Sequence, residues 1–185
     1  MTAMSEDSEV TGRDPAWSEP TLHWFAVHTR SRHEVKVYEQ LFQKNIEVFL
    51  PMYSSIRRWS DRRKRIMLPL FSGYLFVHIP WTPEARLQVL KTYGIARLVS
   101  DQDKPAPIPD EQILAIQRLV SEKYAVEPCL FLEVGRKVEI RRGSLKGLQG
   151  ILVRKKGSYR FVVSVHLIRQ SVSVEIDAEE LEPIL

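Results

Sequence analysis

The sequence predicts an α+β protein, in which an α/β sandwich of one sheet and packed helices is followed by a small β-barrel. Residues 24–124 alternate extended apolar runs with segments whose apolar residues recur at helical spacing, as in a sheet with packed helices. Residues 133–185 hold short β-rich runs divided by glycines, and barrel closure removes the edges that such strands would expose. Residues 125–132 lose periodicity around Pro128 and are predicted to link the two domains.

Composition bounds the size and class of the molecule. With 185 residues, 44% hydrophobic and 27% charged, the chain can bury a core in one or two small domains, which excludes a large multidomain enzyme. A single cysteine, Cys129, makes no internal disulfide, so a cytoplasmic protein is expected. No segment approaches the roughly 20 apolar residues that span a bilayer, so no membrane partner is expected.

The first half of the sandwich is predicted as a strand, a helix and a long hairpin. Residues 24–28 form the strand, and Ser31 with Glu34 makes a capping box that starts a helix reaching about residue 44. Two extended stretches, residues 46–56 and 66–79, form the hairpin. The residues expected on the buried face of the helix are Val35, Tyr38, Leu41 and Phe42.

Two more helices and a strand complete the predicted sandwich. Thr82 caps the second helix, Pro83 occupies its first position and Gly94 ends it. Residues 95–99 form a strand, and residues 110–124 a third helix that buries Ile113, Ile116 and Val120. In the barrel, residues 138–140, 150–153, 161–167 and 172–176 are predicted strands, the last with one wet face because its valines alternate with polar residues.

Charge is concentrated in two places. Residues 1–23 carry five acids against Arg13, and this tail of net charge −4 is predicted to be disordered. The predicted hairpin tip is basic, and it is either a solvated turn or a phosphate-contacting finger. Trp59 within it favours the finger, because an aromatic ring can stack on an unpaired base. The basic residues of the tip are Arg57, Arg58, Arg62, Arg63, Lys64 and Arg65.

The titratable residues do not form a recognised catalytic or metal-ligating motif. The five histidines lack an HExxH or comparable spacing, and the GxSxG, GxxxxGK[ST] and GxGxxG patterns are absent. Cys129 would need a base placed by the fold to act as a nucleophile. A binding protein without metal or cofactor is therefore predicted, and an enzyme with a fold-assembled site is a weaker alternative.

Several motifs carry a resemblance to a known family. WFAVHT at residues 24–29, PLFSGYLFV at 69–77 and PAPI at 105–108 resemble the amino-terminal domain of NusG-type transcription elongation factors. The glycines and valines of residues 134–176 are similar to the KOW domain that follows it. The resemblance covers residues 24–185 and implies an NGN-like domain at 24–124 and an SH3-like KOW barrel at 133–185. RWSDR at 58–62 and RQSV at 169–172 look more like specialised antiterminators related to RfaH and the capsule-operon UpxY factors.

The resemblance implies a monomeric, nonenzymatic elongation or antitermination factor that controls pausing and processivity. Its first domain would bind the clamp helices of RNA polymerase through an apolar patch of Trp24, Leu70, Phe71 and Tyr74. Aromatic anchors of this kind are frequent hot spots, although aromatic residues in strands are more often core. Ser72 departs from the family, which commonly has proline at this position.

The remaining implied contacts are to DNA and to a second protein. The basic hairpin, with Arg30, Arg32 and His33, would face nontemplate or upstream DNA. The barrel would recruit a ribosomal protein or a termination factor through Leu145, Leu148 and Ile151, although leucines in such turns also cap cores. The main alternative is a ribosome-associated or general RNA-binding KOW protein.

Overall fold

The computed structural model describes residues 21–58, 63–101, 104–122, 124–129, 135–155, 158–177 and 180–184. The predicted disorder of residues 1–20 and the predicted roles of Trp59 and Arg62 lie outside these residues. The predicted tail also included Leu22 and His23, which instead belong to the first strand, so its boundary is wrong. The first part contains three helices, namely α1 (Glu34–Gln43), α2 (Pro83–Leu90) and α3 (Asp110–Ser121). Its strands are β1 (Leu22–Thr29), β2 (Glu47–Phe49), β3 (Met52–Arg58), β4 (Arg63–Pro69), β5 (Tyr74–Pro80), β6 (Ile95–Leu98), β7 (Ser100–Asp101) and β8 (Lys104–Pro105).

A four-stranded sheet with the order β2-β5-β1-β6 forms the centre of the first domain. Strand β1 pairs antiparallel with β5 from Leu22 to His28. Phe25 and Val27 of β1 pack in the core formed with α1 and α2, whereas Trp24 and Ala26 belong to the core that contains α3. Because helices cover both faces, β1 is a nearly continuous apolar run, and the predicted α+β sandwich is confirmed.

Helix α1 starts later and buries a different face than predicted. It begins at Glu34 with His33 as N-cap and no side-chain cap, so the Ser31–Glu34 capping box is wrong. Its buried residues are Glu34, Val37 and Leu41. Of the predicted face, Leu41 is buried as expected and Tyr38 is half-buried, whereas Val35 is 47% and Phe42 66% exposed. The face is rotated because the Glu34 carboxylate is buried, where its Oε1 accepts a hydrogen bond from the Gly73 N–H at 2.8 Å.

The predicted hairpin is present, but both of its stretches are divided. The first, residues 46–56, is split into β2, which belongs to the four-stranded sheet, and β3. Strands β3 and β4 pair from Met52 with Pro69 to Arg58 with Arg63 as a separate two-stranded sheet. The prediction of one extended stretch over residues 66–79 is wrong, because residues 70–73 form a turn. In this turn Gly73 has a φ of +81°, and the Tyr74 N–H donates to the Phe71 carbonyl at 3.0 Å.

The other two helices follow the sequence more closely. The Thr82 hydroxyl caps α2 by accepting from the Ala85 N–H, as predicted, but the helix ends at Leu90, four residues before Gly94. Helix α3 buries Ile113 and Ile116 as predicted. It ends at Ser121 rather than residue 124, and it buries Leu119 in place of Val120.

The carboxy-terminal part is a six-stranded antiparallel sheet with the order β14-β10-β11-β12-β13-β9. Its strands are β9 (Glu127–Cys129), β10 (Arg136–Ile140), β11 (Gln149–Lys155), β12 (Ser158–Val165), β13 (Gln170–Glu175) and β14 (Leu181–Pro183). A short 3-10 helix, His166–Ile168, follows β12.

The structure changes two expectations about this region, one about the start of the sheet and one about the last long strand. The first concerns β9. It lies within the predicted linker but pairs with β13, so residues 127–129 belong to the barrel sheet. The predicted wet face of β13 is wrong, since Ser171 and Ser173 are 1% and 2% exposed. The Ser171 hydroxyl is satisfied by that of Ser164 at 2.7 Å. Glu127 accepts from Arg160 Nη1 at 2.8 Å and raises the pKa of Arg160.

Helix α3 also contacts the barrel. Arg118 Nη2 donates to the carbonyl oxygens of Ser144 and Lys146, at 2.6 and 3.0 Å, and Gln112 Nε2 lies 3.5 Å from His166 Nδ1. The buried side chains of the sheet face, α3 and the barrel therefore form one contiguous cluster. One face of α3 packs on the sheet, and its polar edge holds the barrel loop.

Replacing Arg118 by alanine is expected to loosen this docking. Two hydrogen bonds from an exposed guanidinium contribute about 1 kcal/mol together, equivalent to a roughly fivefold shift toward separated domains. The rotational correlation times of the two domains, obtained by NMR relaxation, should diverge in this variant but not in Arg136→Ala, which changes an exposed arginine of β10. Joint tumbling in both variants would show that Arg118 does not hold the domains together.

Candidate functional site

The residues predicted to contact the polymerase are mostly buried. Trp24 is 7%, Leu70 2% and Phe71 1% exposed, and Tyr74 is half-buried against the same cluster. Phe71 packs edge-on to Phe76 with ring centroids 5.7 Å apart. The expectation of an open patch formed by these residues is therefore wrong, because the turn at residues 70–73 directs Phe71 into the core that α3 closes.

An apolar groove lies at the base of the hairpin, beside this core. It encloses about 500 Å³ between β3, β4 and the carboxy-terminal end of α3. Ile56 and Met67 are 62% and 57% exposed, while Tyr53 packs against the buried cluster. Sequence periodicity predicts the hairpin but not this groove, because its second wall is distant in the chain. The apolar residues that line it include Met52, Tyr53, Ile56, Met67, Val120 and Tyr124.

A second exposed surface forms where β1 leads into α1. The Arg30 N–H donates to the Gly94 carbonyl at 2.8 Å, which joins this turn to the segment after α2. Arg32 has a left-handed φ of 61°, and Gly94 lies against His33 and Val37. The end of β1, the start of α1 and residues 92–94 thus form one rigid corner.

The side chains at this corner form a cationic aromatic platform, defined here as Arg30, Arg32, His33, Lys36 and Tyr93. Tyr93 is 57% exposed. The guanidinium of Arg30 lies 5.5 Å and the ammonium of Lys36 5.0 Å from the centre of its ring, within cation–π range, and the His33 ring is edge-on at 5.8 Å.

Of the predicted residues, Arg30 and His33 contact the Tyr93 ring, whereas Arg32 is exposed in the same turn. The platform adds two residues that the sequence analysis missed, Lys36 and Tyr93. The only signal for Tyr93 in the sequence is its position before Gly94. An exposed tyrosine flanked by cations can stack on a base while the cations contact phosphates.

Glu34 connects the platform to the turn at residues 70–73. Its carboxylate accepts from the Gly73 N–H, and the Gly73 carbonyl accepts from the Thr29 N–H at 2.9 Å. The His28 and Tyr74 rings lie 5.0 Å apart at the same place. The platform and the Leu70–Tyr74 region are therefore held together within one domain.

Gly94→Ala is expected to destabilise the first domain more than Gly73→Ala. Both glycines have left-handed φ values, +100° and +81°, but a Cβ at Gly94 would lie 2.9 Å from Val37 Cγ2, against 3.7 Å from the nearest atom at Gly73. The left-handed backbone alone costs about 1–2 kcal/mol, and overpacking adds about 1–3 kcal/mol at Gly94. Urea unfolding followed by tryptophan fluorescence measures the difference, and equal losses would show that Gly94 is not tightly packed.

The basic hairpin is described in part. Arg57, Arg58 and Arg63 lie on the paired strands near the tip, and Lys64 and Arg65 are exposed. Arg65 also lines the apolar groove, so positive charge borders it. Trp59 and Arg62 fall outside the described residues.

The predicted partner residues of the barrel are less exposed than expected. Leu145 is 0% and Leu148 7% exposed, because both belong to the buried cluster shared by the barrel and α3, so their predicted exposure is wrong. Ile151 is half-buried and lines a cleft between the barrel and α3.

The described residues also bear on metal binding and on membrane insertion. Among the described residues, no three histidine, cysteine or acidic side chains come together as a metal site would require. Within the same parts of the chain, every helix is too short or too polar to traverse a bilayer.

Comparisons with known proteins agree with the observed architecture. The family model described as transcription termination factor NusG matches residues 22–117. The transcription termination/antitermination proteins NusG of Staphylococcus carnosus and Staphylococcus epidermidis are each 24% identical, over 87% of this chain and 95% of theirs. A structure describing domain interaction in Thermotoga maritima NusG covers 89% of this chain and 98% of that one, with a TM-score of 0.54 and 22% identity. This chain belongs to the NusG family of transcription termination and antitermination factors.

Proposed function

We propose that this chain is an elongation or antitermination factor whose first domain binds the clamp helices of RNA polymerase and the DNA beside them. The observation that carries the proposal is the presence of two different exposed surfaces on one domain. The hairpin base offers an apolar groove, and the α1 corner offers the cationic aromatic platform. A factor that stays on a transcribing polymerase needs both a protein contact and a nucleic-acid contact.

The groove supports binding of a helix. Its walls are mostly apolar, as a groove needs to be to receive the apolar stripe of an amphipathic helix, which docks through anchors spaced along one face. Trp24, Leu70 and Phe71 belong to the buried cluster on which Tyr53 of the groove packs, rather than to the contact surface, and Tyr74 packs against the same cluster. Exposed methionine and isoleucine side chains at Met67 and Ile56 supply contact area.

The platform and the hairpin arginines support binding of DNA. Phosphates are the ligands that arginine and lysine recognise without regard to sequence. An exposed tyrosine ring adds affinity for unpaired bases, which a transcription bubble presents. The favoured DNA partner is therefore the nontemplate strand or the upstream fork junction.

The barrel supports a contact with a second protein, which depends on separation of the two domains. The loop carrying Leu145 and Leu148 is held by Arg118 of α3, and Ile151 faces the same cleft. We therefore propose that a ribosomal protein or a termination factor reaches this loop only when the domains separate. The specialised antiterminator character, which rests on the RfaH-like and UpxY-like segments, remains a prediction.

Retention of core RNA polymerase by the tagged full-length chain tests the proposed function. Without nucleic acid, the chain should retain polymerase near stoichiometrically and should not retain ribosomal subunits under the same conditions. The ribosome-associated alternative predicts the reverse pattern. Retention of ribosomal subunits alone would therefore contradict the proposal.

A further inference from the structure

The cationic side chains of the platform lack acidic partners among the described residues. Arg30, Arg32 and Lys36 are exposed, and the ion pairs found in the described parts of the chain involve other residues. The nearest acid in sequence, Glu34, is buried and its Oε1 accepts from the Gly73 N–H. The platform is therefore an exposed cationic surface whose charge is not neutralised by the described fold.

The compensating charge lies in the chain segment that precedes β1. Residues 1–20 carry five acidic side chains and one basic one. Removing this segment from the total of +4 leaves +8 on residues 21–185. The acids are spread along its length as Glu6, Asp7, Glu9, Asp14 and Glu19.

The segment is long enough to reach the platform. It joins the sheet at the start of β1, and the platform lies at the other end of that eight-residue strand, about 26 Å away. Asp14 is eight residues before Leu22, so an extended chain can just carry it back over that span of about 26–29 Å. Glu6, Asp7 and Glu9 lie 13–16 residues before Leu22. This is more chain than the distance requires, so several acids can contact the cations together.

We propose that the acidic segment 1–20 binds the Arg30–Lys36–Tyr93 platform of the same chain and competes there with single-stranded nucleic acid. The tether gives the segment an effective concentration in the millimolar range, so a weak contact is populated. Ionic strength weakens the contact because the charges are exposed. A nucleic acid that places several phosphates and a stacked base on the platform displaces the segment. The competition rests on the proposed role of the platform, whereas the contact itself does not.

Paramagnetic relaxation measures the contact directly. A nitroxide is attached to Ser8→Cys in the full-length chain carrying Cys129→Ser. At 50 mM salt the amide signals of Arg30, Lys36, Tyr93 and Gly94 should broaden. Broadening should disappear at 500 mM salt. It should also disappear in a variant of the acidic segment with five neutralised side chains, namely Glu6→Gln, Asp7→Asn, Glu9→Gln, Asp14→Asn and Glu19→Gln.

Two results of that experiment overturn the proposal. One is the absence of broadening at 50 mM salt. The other is broadening confined to Ile56, Lys64 and Arg65, which would place the segment on the hairpin instead. Shuffling residues 1–13 around the nitroxide fixed at position 8 should leave the effect in place, because every position in that range is far enough from Leu22 to reach the platform and the contact depends on charge.

Binding of a fluorescent 20-nucleotide single-stranded DNA tests the competition. The five-acid variant should bind roughly three- to sixfold more tightly than the unmodified chain at 50 mM salt and equally at 500 mM. Equal affinities at both salt concentrations overturn the competition. If neither protein binds DNA, the proposed function of the platform fails, and the relaxation experiment still decides whether the segment makes the contact.

Discussion

Replacing Ile56 and Met67 together by glutamate is expected to abolish retention of core RNA polymerase. Both side chains line the groove and are 62% and 57% exposed, so the fold loses little when they change. In a complex, burying the part of each side chain that is still exposed would be worth about 1–2 kcal/mol, and each glutamate would bring an unpaired charge into the contact. The affinity for polymerase should fall at least about 100-fold.

A matched control separates the groove from general surface effects. Leu87 on α2 and Leu114 on α3 are 51% and 53% exposed, and neither lines the groove. Leu87→Glu with Leu114→Glu adds the same charge to the same domain and should leave affinity within about twofold, as for surface changes generally. Equal loss in both double variants, or full binding by the groove variant in a fluorescence titration, would contradict the proposed contact.

Tyr93→Ala is expected to weaken binding of single-stranded DNA about 5- to 150-fold, because stacking of a base on an aromatic ring contributes about 1–3 kcal/mol. The dependence of affinity on salt should stay the same, since no charge is removed. Arg30→Gln with Lys36→Gln should behave differently. Losing two phosphate contacts lowers the slope of log K against log salt by about 1.4.

Phe42→Ala is the control for the tyrosine. Phe42 is 66% exposed and lies at the opposite end of α1 from the platform, so its removal should not alter DNA affinity. Anisotropy titrations at several salt concentrations distinguish stacking from charge. If Tyr93→Ala leaves affinity unchanged while the charge variant weakens it, the platform binds phosphates only and the stacking role is wrong.

Local sequence rules predicted the order of elements but missed side chains whose environment is set by distant contacts. Thr82 and Pro83 start α2 as expected, because an N-cap depends only on neighbouring residues. The buried face of α1 was wrong because periodicity treats Glu34 as outward-facing, whereas the Gly73 N–H satisfies its carboxylate. The periodicity of apolar residues does not reveal a hydrogen bond between residues that are 39 positions apart in the chain.

The candidate surfaces were hard to predict for the same reason, because they too depend on contacts between residues that are distant in the chain. Family motifs marked Leu70 and Phe71, but the turn and α3 bury both residues. The groove beside them needs walls from the hairpin and from α3, which are more than 50 residues apart. Arg30 is predicted from its charge. Tyr93 lies beside it through a contact between distant residues, in which the Gly94 carbonyl accepts from the Arg30 N–H.

Hydrogen exchange of the full-length chain, alone and with core RNA polymerase, tests most directly whether the groove is the polymerase site. Peptides covering β3, β4 and the end of α3 should become protected on binding, while those covering α2 should not change. Protection confined to the barrel, or exchange in β3, β4 and α3 that polymerase leaves unchanged, would contradict the proposed contact.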